Sequence, residues 1–323
     1  MKEMKWGFIG SGHIAHEMAD AFNEKGRKIY AVYSRSFDRA RDFAESYGIC
    51  KAYETAEEFF ADPEIDIVYI ATPHNRHIEY ILEAARNGKH ALCEKAITLN
   101  SDELDRGIAA CEESGVILAE AMTVYHMPVF TEVSKYIERG ELGRLKLIEV
   151  NLGSNKDYDM TNRFFNPELA GGAMLDIGVY ALSFARRFLS ENASEVKSVV
   201  KLAPTGVDEQ AVMLLNNIKG EMVSVTLSLT AKLPRTAAVS FEKAYAEFES
   251  YNRSHKAKIT FCDGCQPVMI ESDPDISPLT YEIEDMEKAV RGIGDMRLDL
   301  TRDVMKIMTD VRKEWGVIYP EEK

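Results

Sequence analysis

A glutamate–lysine pair at the end of an apolar run is the first feature of this sequence that suggests catalysis. Lys95 follows Glu94 directly after the strand candidate His90–Cys93. Open parallel α/β sheets bind ligands at the carboxyl ends of their strands, so the pair stands where such folds carry chemistry. A lysine at the end of a strand is commonly just exposed to solvent, but a neighbouring cofactor site favours a catalytic role. We therefore predict that Lys95 is catalytic.

A second group of reactive side chains lies in the stretch Gly171–Tyr180. Asp176 and Tyr180 are four residues apart, so on a helix that begins near Gly172 they share one face. A phenol titrates near pH 10, and an adjacent ammonium such as Lys95 would favour the phenolate. We predict that Tyr180 exchanges a proton with a reacting oxygen, and that Asp176 holds a substrate hydroxyl or anchors the lysine. The alternative for Tyr180 is packing on an apolar helix stripe.

Two further side chains are weaker site candidates. Arg163 lies in a loop just ahead of the glycines and could bind substrate, although a lone loop arginine is commonly solvated. His77 stands at an expected helix start, where it either orders a nicotinamide pocket or serves the structure alone.

The elements that position these residues begin with a glycine-rich turn. The apolar run Trp6–Ile9 opens into Gly10-x-Gly12-x-x-Ala15, and an apolar-striped helical pattern follows. Glycines at the first two places let a pyrophosphate approach the backbone amides of the helix start, while Ala15 permits close packing of helix on strand. This strand–turn–helix context predicts dinucleotide binding.

The residues after the second strand indicate which nucleotide binds. NAD sites usually place an acid there, but no Asp or Glu occurs between Arg27 and Phe37. Arg35 could pair with a 2′-phosphate, and Ser34 could donate a hydrogen bond to it. Arg39 could stack on adenine or face water. We predict NADP as the preferred cofactor, with NAD possible.

Strand and helix patterns alternate over the first third of the chain, which predicts an α/β fold with a doubly wound parallel (Rossmann) sheet. The strand candidates are Trp6–Ile9, Ile29–Tyr33, Ile67–Ala71, His90–Cys93 and Val116–Ala121. We place this nucleotide-binding domain at residues 1–121.

From residue 122 to 323 the pattern changes to β-rich runs joined by turns, which predicts an α+β domain with a large, mainly antiparallel sheet. The helices Val129–Arg139 and Gly178–Leu189 are expected to cover one face of that sheet. The last helical pattern, Met296–Arg312, has no strand after it and is expected to pack back on a neighbouring domain.

Composition narrows the possible partners. A net charge of −14 disfavours nucleic acid, and no apolar run of the roughly 18 residues that a membrane helix needs was recognised. Five scattered cysteines are unlike a secreted disulfide framework, so a cytoplasmic protein is expected. Cys262-Asp263-Gly264-Cys265 has no second pair to complete a metal site, and its Asp-Gly predicts a hairpin turn.

Together these motifs resemble the glucose-fructose oxidoreductase / inositol dehydrogenase / MocA (Gfo/Idh/MocA) family over essentially the whole length. The resemblance implies nicotinamide-dependent oxidation of a sugar, polyol or related alcohol, with Lys95 near both nicotinamide and substrate. It implies that Lys95, Arg163, Asp176 and Tyr180 contact the substrate. It implies that the cofactor is contacted by Gly10, Ser11, Gly12, His13, Ile14, Thr72, Pro73, His74, His77, Glu94 and Lys95.

The sequence departs from the family pattern at two places. Ala96 replaces the usual proline after the lysine, and Tyr180 stands where many members have histidine. A tyrosine at this place is similar to the dimeric dihydrodiol dehydrogenases and their relatives. The tyrosine adds trans-diols to the expected substrates. Two alternatives remain open, an NAD(P)-dependent glycosidase that oxidises its sugar transiently and a non-enzymatic nucleotide sensor. The family also implies a homodimer or homotetramer formed through the second sheet.

Overall fold

The computed structural model describes residues 3–323, which form two compact units. The first unit contains the residues up to Ala121 together with Ser277–Leu298. The second contains Met122–Ile276 and Asp299–Lys323. The segment that returns to the first unit is therefore Ser277–Leu298, and not the last helix as the sequence analysis expected.

The first unit is built on a six-stranded sheet in the order β3-β2-β1-β4-β5-β6, with every neighbouring pair parallel. The strands β1 and β4 are buried throughout, as strands covered by helices on both faces must be. The predicted doubly wound fold is confirmed. The strands are β1 Trp6–Ile9, β2 Ile29–Tyr33, β3 Lys51–Tyr53, β4 Ile67–Ile70, β5 His90–Glu94 and β6 Leu118–Ala121.

Local capping explains where several helices of this unit begin and end. The Ser36 side chain accepts the Arg39 amide and the Asn100 side chain accepts the Glu103 amide, while Gly48 ends one helix at φ 62°. The helices are α1 His13–Glu24, α2 Phe37–Tyr47, α3 Ala56–Ala61, α4 His77–Arg86 and α5 Ser101–Glu113, with a short 3₁₀ turn at His74–Arg76.

The second unit is built on an eight-stranded sheet in the order β14-β13-β12-β11-β7-β10-β9-β8. The pair β7 and β10 is parallel and the other pairs are antiparallel, which confirms the predicted mainly antiparallel sheet. The strands are β7 Leu145–Gly153, β8 Glu195–Leu202, β9 Asp208–Asn216, β10 Met222–Ser228, β11 Thr236–Phe241, β12 Ala244–Glu249, β13 Lys256–Phe261 and β14 Val268–Glu271.

Helices cover one face of this sheet, as predicted. They are α7 Pro128–Glu138 and α8 Val179–Phe188, and α8 is preceded by a π-helical turn, Met174–Gly178. The short helix α6 Thr123–His126 packs against α7 and α8. The chain then supplies α9 Pro278–Val290 to the first unit, followed by α10 Leu298–Trp315. Short 3₁₀ turns lie at Pro167–Leu169, Tyr251–Arg253 and Pro320–Glu322.

The sequence patterns predicted no element at β3, α6, β11 or α9. β3 and α6 are only three and four residues long, too short for a periodic pattern. For α9 the signal was present, because Pro278 occupies the first helical turn and Leu279, Ile283 and Met286 form a buried stripe. Trp6 Nε1 donates to Glu287 Oε1 at 3.2 Å, which fixes α9 within the first unit.

One described stretch, Pro167–Phe188, is by length and composition apolar enough to cross a membrane, contrary to the sequence analysis. Most of it is buried inside the protein. It is also broken by left-handed backbone at Ala170 and Gly172, with φ of 53° and 124°.

The free cysteines Cys262 and Cys265 lie exposed between β13 and β14, which pair antiparallel. The predicted hairpin is therefore confirmed. Within residues 3–323 no group of His, Cys, Asp or Glu side chains is placed to hold a metal ion.

Candidate active site

The glycine-rich turn leaves the first backbone amides of α1 open to a ligand. Gly10 has φ 101°, and a Cβ atom there would overlap the carbonyl oxygen of Ala71. Gly12 caps α1 with no side-chain hydrogen bond, and no acid occupies the first helical turn. The helix start therefore presents its amides and its positive dipole end without a competing group, which suits a pyrophosphate.

A cavity of about 220 Å³ lies beside this turn in the first unit. The buried Thr72 Oγ1 has no hydrogen-bond partner within residues 3–323, as expected of a group that a ligand or water would satisfy. The lining therefore fits a dinucleotide. It consists of Ile9, Gly10, Ser11, Gly12, Tyr33, Ser34, Arg35, Arg39, Ala71, Thr72, Pro73 and Tyr80.

Eight of the predicted cofactor residues line this cavity, and six do not. Those in the lining are Gly10, Ser11, Gly12, Ser34, Arg35, Arg39, Thr72 and Pro73, while Tyr33 and Tyr80 were not predicted. His13 is exposed at the start of α1 and pairs with Glu17 at 3.0 Å. The others outside the lining are Ile14, His74, His77, Glu94 and Lys95.

Two exposed arginines, Arg35 and Arg39, line the cavity. Neither the Arg35 nor the Arg39 guanidinium takes part in an ion pair or a hydrogen bond among the described residues, although the Arg39 backbone amide donates to Ser36 Oγ. Ser11 Oγ donates to Ser34 Oγ at 3.4 Å, and no carboxylate lines the cavity. The site thus offers uncompensated positive charge in a protein whose net charge is −14.

Two histidines hold the backbone around Lys95. The ring nitrogens of the fully buried His77 lie 3.0 Å from the Ala96 oxygen and 2.7 Å from the Thr72 oxygen. His74 Nε2 lies 3.1 Å from the Lys95 oxygen. Burial lowers the pKa of His77, although the backbone carbonyls oppose that shift. These contacts tie the end of β4 to the segment after β5.

Glu94 is joined to the core of the first unit. Tyr69 Oη donates to Glu94 Oε1 at 2.5 Å, and the Lys95 amide donates to Glu94 Oε2 at 3.2 Å. Burial raises the pKa of Tyr69 well above its usual value, so this phenol donates across the working pH range. The carboxylate that precedes the lysine is thereby held in one orientation.

In the second unit, Asp176 lies in the π-helical turn and Tyr180 in the first turn of α8, both partly buried. The predicted α-helix from Gly172 was wrong in this detail. π-helical turns recur at functional sites. Arg163 Nη2 lies 3.7 Å from Asp176 Oδ1, and its guanidinium stacks 4.3 Å from the Phe164 ring. The structure therefore brings the predicted substrate residues Arg163 and Asp176 together.

Two polar residues near this helix were missed by the sequence analysis. Tyr251 is fully buried, and its hydroxyl has no hydrogen-bond partner within residues 3–323. It interacts electrostatically with Tyr180 and Arg235. Burial raises the pKa of Tyr251, so its hydroxyl stays protonated. Asp208 is fully buried at the start of β9. The sequence signal that could have identified Asp208 was a charged residue at the first position of an apolar strand.

Models of known protein families match residues in both units. Residues 4–122 match the Gfo/Idh/MocA description "Oxidoreductase family, NAD-binding Rossmann fold", and residues 130–247 match "GFO/IDH/MocA C-terminal domain". The chain is 28% identical to trans-1,2-dihydrobenzene-1,2-diol dehydrogenase of Xenopus laevis, over 98% of this chain and 99% of that protein.

Solved structures share the fold at low sequence identity. A 3-ketoreductase from Actinomadura kijaniata in complex with NADP is 21% identical, with a TM-score of 0.84 over 97% of this chain and 98% of that one. A levoglucosan dehydrogenase in complex with NADH is 19% identical, with a TM-score of 0.87 over 98% and 97%. The fold therefore accommodates either nucleotide.

Proposed function

Because the chain belongs to the Gfo/Idh/MocA family of NAD(P)-binding oxidoreductases, we propose that it interconverts an alcohol and a carbonyl on a sugar, polyol or trans-diol, with NADP as its preferred cofactor. The observation that carries the proposal is the cavity beside Gly10 and Gly12, which combines open helix amides with the unsatisfied Thr72 hydroxyl. The relatives named above include a diol dehydrogenase and a levoglucosan dehydrogenase, which supports that substrate class.

The side chains supply binding and proton transfer. When bound, the nicotinamide supplies the redox chemistry at the carbon that bears the reacting oxygen. We assign Tyr180 Oη to give and take the proton of that oxygen, and Lys95 Nζ to orient it and stabilise its developing charge. Asp176 accepts a hydrogen bond from a substrate hydroxyl, and Arg163 beside it limits the local negative charge.

The preference for NADP follows from Arg35 and Arg39. A 2′-phosphate would complement their unpaired charges, whereas the ribose hydroxyls of NAD would meet no carboxylate in the lining. The Arg35→Ala variant is expected to weaken NADP⁺ binding by about 10- to 100-fold, from the loss of a charge-assisted hydrogen bond, and to leave NAD⁺ binding within about twofold. The exposed Arg106→Ala variant serves as the matched control. Equal losses for both nucleotides would contradict the assignment.

We also propose a homo-oligomer formed through the outer face of the second sheet. That face exposes Val199, Val212, Leu214, Met222 and Met269, and a groove of about 570 Å³ runs over it. Four of these side chains, Val199, Val212, Leu214 and Met222, lie on the neighbouring strands β8, β9 and β10, and exposed apolar side chains grouped on a sheet face are typical of interfaces between protein copies. Sedimentation as a monomer at micromolar concentration would count against this assembly.

The direct test of the enzyme proposal is absorbance at the nicotinamide band with NADP⁺ or NAD⁺ and a panel of aldoses, inositols and trans-diols. Wild type is compared with Lys95→Met and Tyr180→Phe, and with Lys28→Met as a matched control on an exposed lysine. We expect a signal that both active-site variants lose and the control keeps. Cofactor binding without any signal would overturn the dehydrogenase proposal, and turnover of a glycoside without net absorbance change would identify the glycosidase alternative.

A further inference from the structure

A buried polar cluster within the second unit underlies the glycines that precede Asp176 and Tyr180. Tyr319, which is fully buried, donates its hydroxyl to the Gly171 oxygen at 2.6 Å. Arg312, only 2% exposed, makes bonds of 3.0 and 2.9 Å to both carboxylate oxygens of Glu322, and its guanidinium lies 4.6 Å from the Tyr319 ring centroid. Glu322 also accepts the Tyr319 amide at 2.9 Å. We call Arg312, Tyr319 and Glu322 the C-terminal brace.

Asp208 meets the same glycines from the opposite side. Its Oδ2 accepts the Met174 amide at 2.6 Å, at the first residue of the π-helical turn. A Cβ atom on Gly172, whose φ is 124°, would overlap Asp208 Oδ1. That oxygen is buried and has no hydrogen-bond donor within residues 3–323. The glycine is thus required by the carboxyl group that packs against it.

The formal charges of Asp208 and the C-terminal brace sum to zero only when Asp208 carries a proton. Asp208 interacts electrostatically with Arg312, which pairs with Glu322, and with the phenol of Tyr319. An ionised Asp208 would add an uncompensated buried charge to this group, whereas the neutral acid adds none. Burial raises the pKa of Asp208 to about 7, although the Met174 amide and the Arg312 charge oppose that shift.

We infer that Asp208 and the C-terminal brace are positioning residues, which hold the start of the π-helical turn and thereby aim Asp176 and Tyr180 at the substrate. Neither Asp208 nor the brace needs to touch substrate. Asp208 fixes the Met174 amide, two residues ahead of Asp176 and six ahead of Tyr180. The brace fixes the Gly171 carbonyl, five residues ahead of Asp176 and nine ahead of Tyr180. The catalytic part of this inference rests on the proposed function, whereas the structural part does not.

The first experiment measures kcat and KM between about pH 6 and 8 for wild type and Asp208→Asn. Asparagine keeps the shape of the neutral acid and a donor on the second atom, but it does not ionise. Because groups other than Asp208 titrate alike in both proteins, the ratio of wild-type to variant kcat isolates this residue. We expect the ratio to fall as pH rises through about 7, with KM for the cofactor within about twofold. A ratio independent of pH would overturn the catalytic part.

Hydrogen exchange tests the structural part even if the enzyme proposal fails. In peptides spanning residues 171–180, wild-type protection is expected to fall above about pH 7 after correction for intrinsic exchange, while Asp208→Asn protection stays constant. Tyr319→Phe removes one hydrogen bond and is expected to raise exchange there about tenfold, whereas the exposed Tyr245→Phe variant leaves it unchanged. Unaltered exchange in folded Tyr319→Phe would overturn the brace.

If wild type binds cofactor but turns over no substrate, and the exchange results are as expected, the enzyme proposal fails and the brace stands. If wild type is active and exchange in the 171–180 peptides responds neither to pH nor to Tyr319→Phe, the brace fails and the enzyme proposal stands. Thermal melts of each variant verify that the protein is folded before either reading.

Discussion

Replacement of Asp208 by asparagine should change how the stability of the second unit depends on pH. The folded pKa of Asp208 is raised from 3.8 to about 7 by burial, so the folded state holds a proton that the unfolded state has lost. Stability from this group is fully present below about pH 4, declines as pH rises towards 7, and is flat above. Each unit of pH costs about 1.4 kcal/mol within that window.

The magnitude follows from the same shift. Between pH 5 and pH 8 the unfolded carboxyl is ionised throughout, and the folded one loses its proton near pH 7. Wild type should therefore lose about 3 kcal/mol relative to Asp208→Asn over that interval. Every other titrating group is common to the two proteins and cancels in the difference.

Urea unfolding at several pH values measures this difference, and the chain offers a local probe. Of its two tryptophans, Trp6 lies in the first unit and Trp315 in the second, where Nε1 donates to Ser198 Oγ at 2.8 Å. In a Trp6→Phe background the fluorescence reports the second unit alone. Stability curves of wild type and Asp208→Asn that stay parallel from pH 5 to 8 would refute the reasoning.

Three further outcomes are expected. Gly10→Ala should weaken dinucleotide binding more than tenfold in a cofactor titration, because the added Cβ overlaps the Ala71 carbonyl and φ is 101°; unchanged affinity would remove the glycine argument. Tyr69→Phe leaves the buried Glu94 carboxylate short of a donor and should cost about 1–3 kcal/mol of unfolding free energy in urea titrations, so a neutral effect would contradict the role given to that bond. Leu214→Lys places a charge on the outer sheet face and should dissociate the proposed oligomer in sedimentation without changing the circular dichroism spectrum.

The sequence by itself determined the features that depend on short-range pattern. The run Trp6–Ile9 followed by Gly10 and Gly12 specifies strand, turn and helix within a few residues, because backbone conformation there is decided by side chains that are local in sequence. The alternation of buried strands with striped helices identified the doubly wound sheet for the same reason. The absence of an acid after β2, and with it the expectation of NADP, is equally a property of adjacent residues.

Tertiary structure decided what depends on contacts between distant residues. Asp208 and Met174 are 34 residues apart, and Tyr319 and Gly171 are 148 apart, so no local pattern announced either bond. The π-helical turn at Met174–Gly178 starts at one of these contacts, which explains why helical periodicity alone predicted an ordinary helix there. The roles of His74 and His77 in holding backbone carbonyls likewise emerged only when β4 and β5 paired side by side.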